Sequence, residues 1–281
     1  MIIERLEWGI ETLSLIRERA LQINSFYLYP NSVYIISGAS GQGKTSFALR
    51  IAVEFIKQRD SGVLYITCGD MSDERLTLYL ATVMKTLQGS SFKETAMALI
   101  EKRTTLPPRP RNFYRVYLKP DEIKDIFEYV RERFSRVLII VDYLQGLGNW
   151  QTQAKFISTY RNLLAEPAGI TKSLEPEEPI GNMIYTLFIS QIKKRDTSSN
   201  KAIRDELFAL VDDMSGSKEL INMADYILAS IGHTRVRVPS LPLLKVLKSR
   251  LPDVTLGRYL DYHLNDITSD VEKAIEEFLG K

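Results

Sequence analysis

Val33-Tyr34-Ile35-Ile36-Ser37 runs directly into Gly38-Ala39-Ser40-Gly41-Gln42-Gly43-Lys44-Thr45, and that octet runs directly into Ser46-Phe47-Ala48-Leu49-Arg50-Ile51-Ala52-Val53-Glu54-Phe55-Ile56. An apolar strand, a glycine-rich turn and a helix thus follow one another without a break. The octet fits GxxxxGK[ST], and its flanks are the ones its chemistry requires. Glycines let the backbone close around phosphates, while a helix start offers unpaired N–H groups and the positive end of the helix dipole. In that setting Lys44 reaches the β and γ oxygens of a nucleoside triphosphate and Thr45 supplies a hydroxyl to Mg²⁺. The expected nucleotide contacts are Gly38, Ala39, Ser40, Gly41, Gln42, Gly43, Lys44, Thr45 and Ser46.

Further apolar runs follow at Val63–Thr67, Phe113–Leu118, Val137–Val141 and Met183–Ile189. Stretches of helical periodicity separate them: Ser46–Lys57, Ser72–Lys85, Asp121–Phe134 and Ala154–Leu164. Such alternation predicts an α/β fold, a mostly parallel sheet covered by helices on both faces. Tyr226–Ile231, Leu243–Leu247 and Tyr259–Leu264 read as later strands, the last two joined by a short Pro/Gly-bearing connection that predicts an antiparallel end. Ser269–Phe278 reads as a terminal helix, and the Pro-rich Leu106–Arg111 as a loop. Residues 2–23 place Ile3, Leu6, Ile10, Leu13 and Ile16 at helical spacing, which predicts an amphipathic helical segment ahead of the main body.

Phosphoryl transfer needs a second magnesium contact and a group that orients water. Asp142 ends the apolar run Val137–Val141, where a carboxylate at the carboxyl edge of a buried parallel strand meets the ligand crevice, so it is the expected second metal residue beside Thr45. Its neighbour is Tyr143 rather than a carboxylate, and the water-orienting acid must come from elsewhere. Asp70, just past the strand Val63–Thr67, is the candidate; read alone, Asp70 and Ser72 fit the start of the next helix equally well.

Composition excludes more than it identifies. The 281 residues are 44% hydrophobic and 26% charged, an ordinary globular balance, and 37 basic against 35 acidic residues give +2, so nucleic acid could be bound only through a local patch. The single cysteine, Cys68, rules out an intrachain disulfide, and the two histidines lack zinc spacing. Charges interrupt the N-terminal apolar residues, and no uncharged run is long enough to span a bilayer. The expectation is a soluble, cytoplasmic protein without a membrane partner.

Taken in order, GASGQGKTSF, CGDMSDERL, VLIIVDYLQ, LFISQIKKR and KSR resemble the RecA-like ATPase domain of DnaB-type hexameric replicative helicases, over roughly residues 30 to 262. Asp142-Tyr143-Leu144-Gln145 and Ile189-Ser190-Gln191 carry most of the specificity. The resemblance implies an ATP- and Mg²⁺-dependent hydrolase that forms a ring, expected to be a homohexamer. Such a ring would translocate on single-stranded DNA during replication, in contact with other replication proteins.

It also implies residue roles. Asp70 takes the place of the family's catalytic Glu, because Asp70-Met71 and Glu74 keep the E-M-x-x-E spacing. The acid is one methylene shorter, which withdraws the carboxylate by roughly 1.5 Å. Gln191 becomes the γ-phosphate sensor, and Lys248 and Arg250, as K-x-R, become the pair that reaches the neighbouring subunit's nucleotide. The channel-lining segments would be Gly146–Lys155 and Lys193–Gly216, the second with Lys193, Lys194, Arg195, Lys201, Arg204, Ser215 and Gly216 as DNA contacts. Residues 1–25 stand where the family has a docking helix, leaving 26–281 as the ATPase domain.

The basic and aromatic cluster at Lys102, Arg103, Arg109, Arg111, Arg115 and Lys119 is read as solvating a loop and a sheet edge. Departures from the family are Tyr29-Pro30-Asn31-Ser32 in place of a Gly-rich turn, an insertion at Ala165–Ile180, and no N-terminal domain of the kind that larger members carry. Two other readings stay open at this point: a RecA/RadA- or KaiC-like ATPase that assembles without unwinding, and a non-motor accessory that uses nucleotide to control helicase loading or packaging.

Overall fold

A computed structural model describes residues 19–38, 40–68, 71–86, 92–108, 110–117, 119–165, 183–191, 218–231, 243–250, 256 and 258–267. The expected helix before residue 19, the insertion from 166 to 180 and the terminal helix at 269–278 lie outside them.

The sheet is built from β3 (Val33–Gly38), β4 (Ser61–Thr67), β5 (Phe113–Tyr117), β6 (Arg136–Asp142), β7 (Met183–Gln191), β8 (Tyr226–Ile231), β9 (Leu243–Ser249) and β10 (Tyr259–Leu260). Their spatial order is β10-β9-β8-β3-β7-β6-β4-β5. The six strands from β8 to β5 run parallel, and β9 and β10 add antiparallel pairings at one end. Helices α1 (Lys44–Phe55), α2 (Asp73–Thr86), α3 (Phe92–Ile100), α4 (Ile123–Arg133), α5 (Trp150–Ala165) and α6 (Lys218–Met223) provide the crossovers and cover the sheet. This is the α/β architecture expected from the strand–helix alternation; only α3 has no counterpart among those expectations.

Strand periodicity divides the core into two layers. Tyr34, Ile36, Tyr65, Leu138, Ile140, Tyr185 and Leu187 face one side, with Phe47, Ile51 and Phe55 of α1 and Leu76 and Leu80 of α2. Val33, Ile35, Leu64, Ile66, Ile139 and Phe188 face the other, with Phe127 of α4 and Phe156 and Tyr160 of α5. Because both faces are covered, the central strands read as continuous apolar runs. Asp142 continues the alternation Leu138, Ile140 on the α1 side, which is why a carboxylate ends up beside the P-loop helix.

Two boundaries differ from expectation. Leu21–Ile23 is not helical: it forms β1 and pairs antiparallel with β2 (Phe26–Leu28) across a turn at Asn24 and Ser25. Leu21, Ile23, Phe26 and Leu28 bury one face of that hairpin, and Asn24 takes the left-handed backbone that a tight turn needs (φ 52°). The strand expected at Tyr259–Leu264 stops at Leu260, because the Asp261 carboxylate accepts the His263 and Asn265 backbone N–H groups at 2.7 and 2.9 Å and turns the chain. Ahead of β3, where a glycine-rich turn is missing, Asn31 supplies the left-handed residue (φ 58°), and its N–H donates to the Ile184 carbonyl at 2.6 Å.

Candidate functional site: a phosphate cradle at the carboxyl edge

Register places the strand ends side by side. Gly38 of β3 lies opposite Gln191 of β7, Asp142 of β6 opposite Ile189 of β7, and Thr67 of β4 opposite Asp142. Four parallel strands therefore deliver their C-terminal residues to one crevice, the place where open α/β sheets bind ligands.

The turn between β3 and α1 carries Ser40, Gly41, Gln42 and Gly43; Ala39 lies outside the described residues. Gly41 and Gly43 both have φ of 81°, a left-handed conformation that glycine adopts without Cβ strain. That curl aims successive backbone N–H groups inward, towards the start of α1. Ser46 follows in the first turn of that helix and is buried. A brace from β8 fixes the curl: the Ser230 hydroxyl, itself buried, donates to the Gln42 carbonyl.

Lys44, Thr45 and Asp142 meet at the helix start. The Thr45 hydroxyl donates to Asp142 Oδ2 at 2.8 Å, and the Tyr65 hydroxyl from β4 donates to the same oxygen. Both charged groups are nearly closed off, Lys44 at 6% and Asp142 at 7% exposure. Burial lowers Lys44 to a pKa of about 8, with Asp142 pulling the other way. Burial raises Asp142, opposed by the hydrogen bonds from Tyr65 and Thr45 and by Lys44. Each charge is thus desolvated further than its partner compensates. A polyphosphate would complete the solvation of Lys44, and a divalent cation that of Asp142. A hydroxyl plus a carboxylate, with the remaining positions left to phosphate and water, suits the octahedral, incompletely dehydrated Mg²⁺ ion.

Two contacts tie neighbouring loops to this centre. The Gln145 side chain behaves as an extra peptide unit beyond the β6–β7 ladder: its Nε2 donates to Ser190 Oγ at 2.9 Å and the Gln191 carbonyl at 2.8 Å, and its Oε1 accepts the Gln191 N–H at 3.0 Å. Gly146 lies so close to β4 that a Cβ built on it falls 1.3 Å from the Cys68 carbonyl oxygen. Gln191 is thus held at the crevice through its backbone, while the segment after Asp142 is pressed against the exit of β4. Cys68 is itself half-buried, with its thiol pushed up to about 12 by burial and then by Asp142.

The segment expected as a channel loop at Gly146–Lys155 is mostly folded. Leu144–Leu147 is a 3₁₀ turn with Leu144 and Leu147 buried, and α5 starts at Trp150, with the Asn149 carboxamide accepting the Thr152 N–H at 3.0 Å. Apolar residues at 144 and 147 draw this stretch down onto the α5 layer.

Lys248 and Arg250 lie elsewhere. β9 is antiparallel to β8, and Ser249 pairs with Tyr226 at the start of β8. The pair therefore sits at the amino edge, separated from the cradle by the length of β3, six residues or roughly 20 Å at ~3.3 Å per residue. Both cations cap α6: Lys248 Nζ donates to the Ile221 carbonyl and Arg250 to the Asn222 carbonyl. Arg250 also lies 3.8 Å from the Asp225 carboxylate.

Asp70 lies outside the described residues, as do Lys193, Lys194, Arg195, Lys201, Arg204, Ser215 and Gly216. Sequence reasoning missed Tyr65, Ser230, Gln145, Gly146 and Arg115 as parts of the site or its supports. For Tyr65 and Ser230 a signal existed, a lone hydroxyl inside an apolar strand. For Arg115 the reading was opposite to the finding: the side chain is buried rather than solvated, because Asp73 and the Met71 carbonyl draw it inward.

No family model and no curated protein matches the sequence. Solved structures do. The isolated ATPase domain of a DnaB-like helicase aligns with a TM-score of 0.56 at 16% identity over 85% of this chain and 86% of that one. A DnaB-like replicative helicase, solved in a study of its interactions with primase, aligns with a TM-score of 0.53 at 15% identity over 85% of this chain, which spans 59% of the helicase. Among the described residues no helix is long and apolar enough to cross a membrane. With its strand order, its cradle and these likenesses together, the chain has the RecA-like fold of DnaB-type helicase ATPase domains.

Proposed function

We propose that this chain is an ATP-driven DNA helicase of the DnaB type, hydrolysing ATP·Mg²⁺ at the boundaries between copies in a ring and moving on single-stranded DNA. The observation that carries the reading is the division of the nucleotide machinery between two edges. The P-loop, Thr45 and Asp142 lie at the carboxyl edge, and the Lys248–Arg250 pair lies at the amino edge, out of reach of the same chain's cradle. A site so divided is completed by a second copy.

In this reading Lys44 and the N–H groups of the turn bind and neutralise the β and γ phosphates. Thr45 and Asp142 would hold Mg²⁺, which bridges phosphate oxygens and offsets charge on them. Asp70 accepts the proton of the attacking water and orients it. Lys248 and Arg250 of the adjoining copy stabilise the charge that develops on the γ-phosphoryl group. Gln191, fixed by Gln145, passes the presence of that group to the basic segment 193–216, where Lys193, Lys194, Arg195, Lys201, Arg204, Ser215 and Gly216 contact the strand. Residues 1–25 serve as a docking segment and 26–281 as the motor domain.

Strand displacement on a forked duplex with ATP tests the function. Unwinding together with DNA-stimulated turnover is expected. Stimulated turnover on filaments, without unwinding, favours the RecA/RadA-like alternative. Nucleotide binding without DNA stimulation favours a non-motor accessory.

A further inference from the structure

β5 is the edge strand of the sheet, and an arginine in its middle ordinarily extends into water. The side chain of Arg115 is instead 6% exposed, although its ion-pair partner Asp73 is 73% exposed. Its donors all go to one short piece of chain. Nε faces Thr67 Oγ1 at 3.4 Å, one terminal nitrogen donates to the Met71 carbonyl, and the other donates to the Asp73 carboxylate. The Tyr117 ring covers the guanidinium, its centroid 4.4 Å away.

Thr67 is the last residue of β4 and Asp73 the first of α2. One side chain from a third element therefore ties together both ends of the connection Cys68–Ser72. We propose that Arg115 is a positioning residue: it fixes the span of this connection and, through it, the place of Asp70. The catalytic part of the proposal rests on the reading of Asp70 as the water-orienting acid.

Stability alone does not account for the arginine. Burying a guanidinium costs solvation, and a buried ion pair is often no more stabilising than apolar residues of similar volume, which Leu76 and Phe113 nearby would accommodate. What an apolar residue cannot do is hold three acceptors on two chain segments at once. The planar fork of arginine can, and lysine, a single flexible ammonium, can do so only in part. The clamp acts on spacing rather than on charge at the nucleotide, so its removal should lower turnover and leave nucleotide affinity alone.

Arg115→Gln and Arg115→Lys, made in the full chain, test this. Arg115 borders a groove of about 460 Å³ between α2 and the 106–110 loop, so a shorter side chain enlarges a groove instead of leaving a closed cavity. Arg115→Gln is expected to lower kcat at least about tenfold, with KM and the affinity for a non-hydrolysable ATP analogue within about twofold of the parent. Hydrogen exchange of amides 68–76 should rise about tenfold while β3 and β7 stay protected, and Arg115→Lys should recover part of both effects.

Unchanged exchange at 68–76 in Arg115→Gln overturns the clamp, even where Asp70→Asn is inactive. Exchange that rises equally across the whole sheet also overturns it, since the arginine would then be a general stabiliser. Separately, an Asp70→Asn chain with the parent's turnover removes the assignment of the acid and the catalytic half of the proposal with it.

Discussion

The two edges of one sheet handle charge in opposite ways. At the carboxyl edge Lys44 and Asp142 are both more than nine-tenths buried, and burial pushes each towards its neutral form. At the amino edge the Arg250 side chain is 49% exposed, resting on the Asn222 carbonyl and near Asp225. Asp225 is in turn engaged by the Val33 N–H at 2.9 Å. The first edge holds charges that only a ligand of matching chemistry would solvate fully. The second holds cations on weak, half-wet contacts that can be exchanged at little cost. Binding strength thus resides at the carboxyl edge and adjustable reach at the amino edge.

The largest change should come from emptying the buried edge. Lys44→Ala removes the cation that the P-loop places against the β and γ oxygens, so ATP affinity, read by calorimetry, should fall by about two orders of magnitude or more and hydrolysis should cease. Parent-like turnover in that variant would break the comparison at its root.

Arg250→Ala addresses the other edge. ATP binding should survive, while hydrolysis in the assembled state should fall by about 10³-fold, as for loss of an arginine finger. Mixing settles whether the two edges work across copies. A Lys44→Ala chain carries a normal Arg250, and an Arg250→Ala chain carries a normal cradle, so mixed assemblies should regain part of the activity. No recovery in verified mixtures would assign Arg250 to its own chain.

Gly146→Ala probes how tightly the carboxyl edge is packed. A methyl group there collides with the backbone of Cys68 rather than with a movable side chain. The 3₁₀ turn must shift, and a loss of about 3 kcal/mol is expected in urea unfolding. Gly41→Ala, with nothing within 4 Å of its Cβ but φ at 81°, should cost only about 1–2 kcal/mol.

The smallest effect is a pH dependence. Bound phosphates favour charged Lys44, so above its value of about 8 without nucleotide binding must take up a proton, and ATP affinity should drop about tenfold per pH unit. Stability without nucleotide moves the opposite way. The unfolded chain binds more protons between about 8 and 10.5, so the parent should gain stability relative to Lys44→Met as pH rises through that window. Calorimetry in buffers of differing ionisation enthalpy reads the first effect, and chemical unfolding reads the second.

What the sequence disclosed and what it withheld divide along a physical line. The P-loop was legible because its chemistry needs contiguous residues, and Val33–Ser37 and Val137–Val141 were legible because burial on both faces leaves an unbroken apolar run. Asp142 followed from its place at such a run's end. The bond from Tyr65 to Asp142 joins residues 77 apart, and the approach of Gly146 to Cys68 likewise exists only once β4 and β6 are neighbours. Arg115 was misread because a basic residue on an edge strand is solvated unless something inward accepts its donors, and here those acceptors lie 42 and 44 residues away. The β1–β2 hairpin escaped notice because Leu21 and Ile23 also satisfy the helical spacing that precedes them.

Cys68, the one thiol in the chain, lies between the Asp142 carboxylate and Gly146 with its ionisation pushed up to about 12. At neutral pH almost none of it is thiolate, and thiolate is the form that electrophiles attack. Cysteines introduced on the surface can therefore carry fluorescent or spin labels with the native residue left in place as a silent bystander. Slow modification of Cys68 by a small alkylating reagent would, in turn, register the moments when the exit of β4 comes apart.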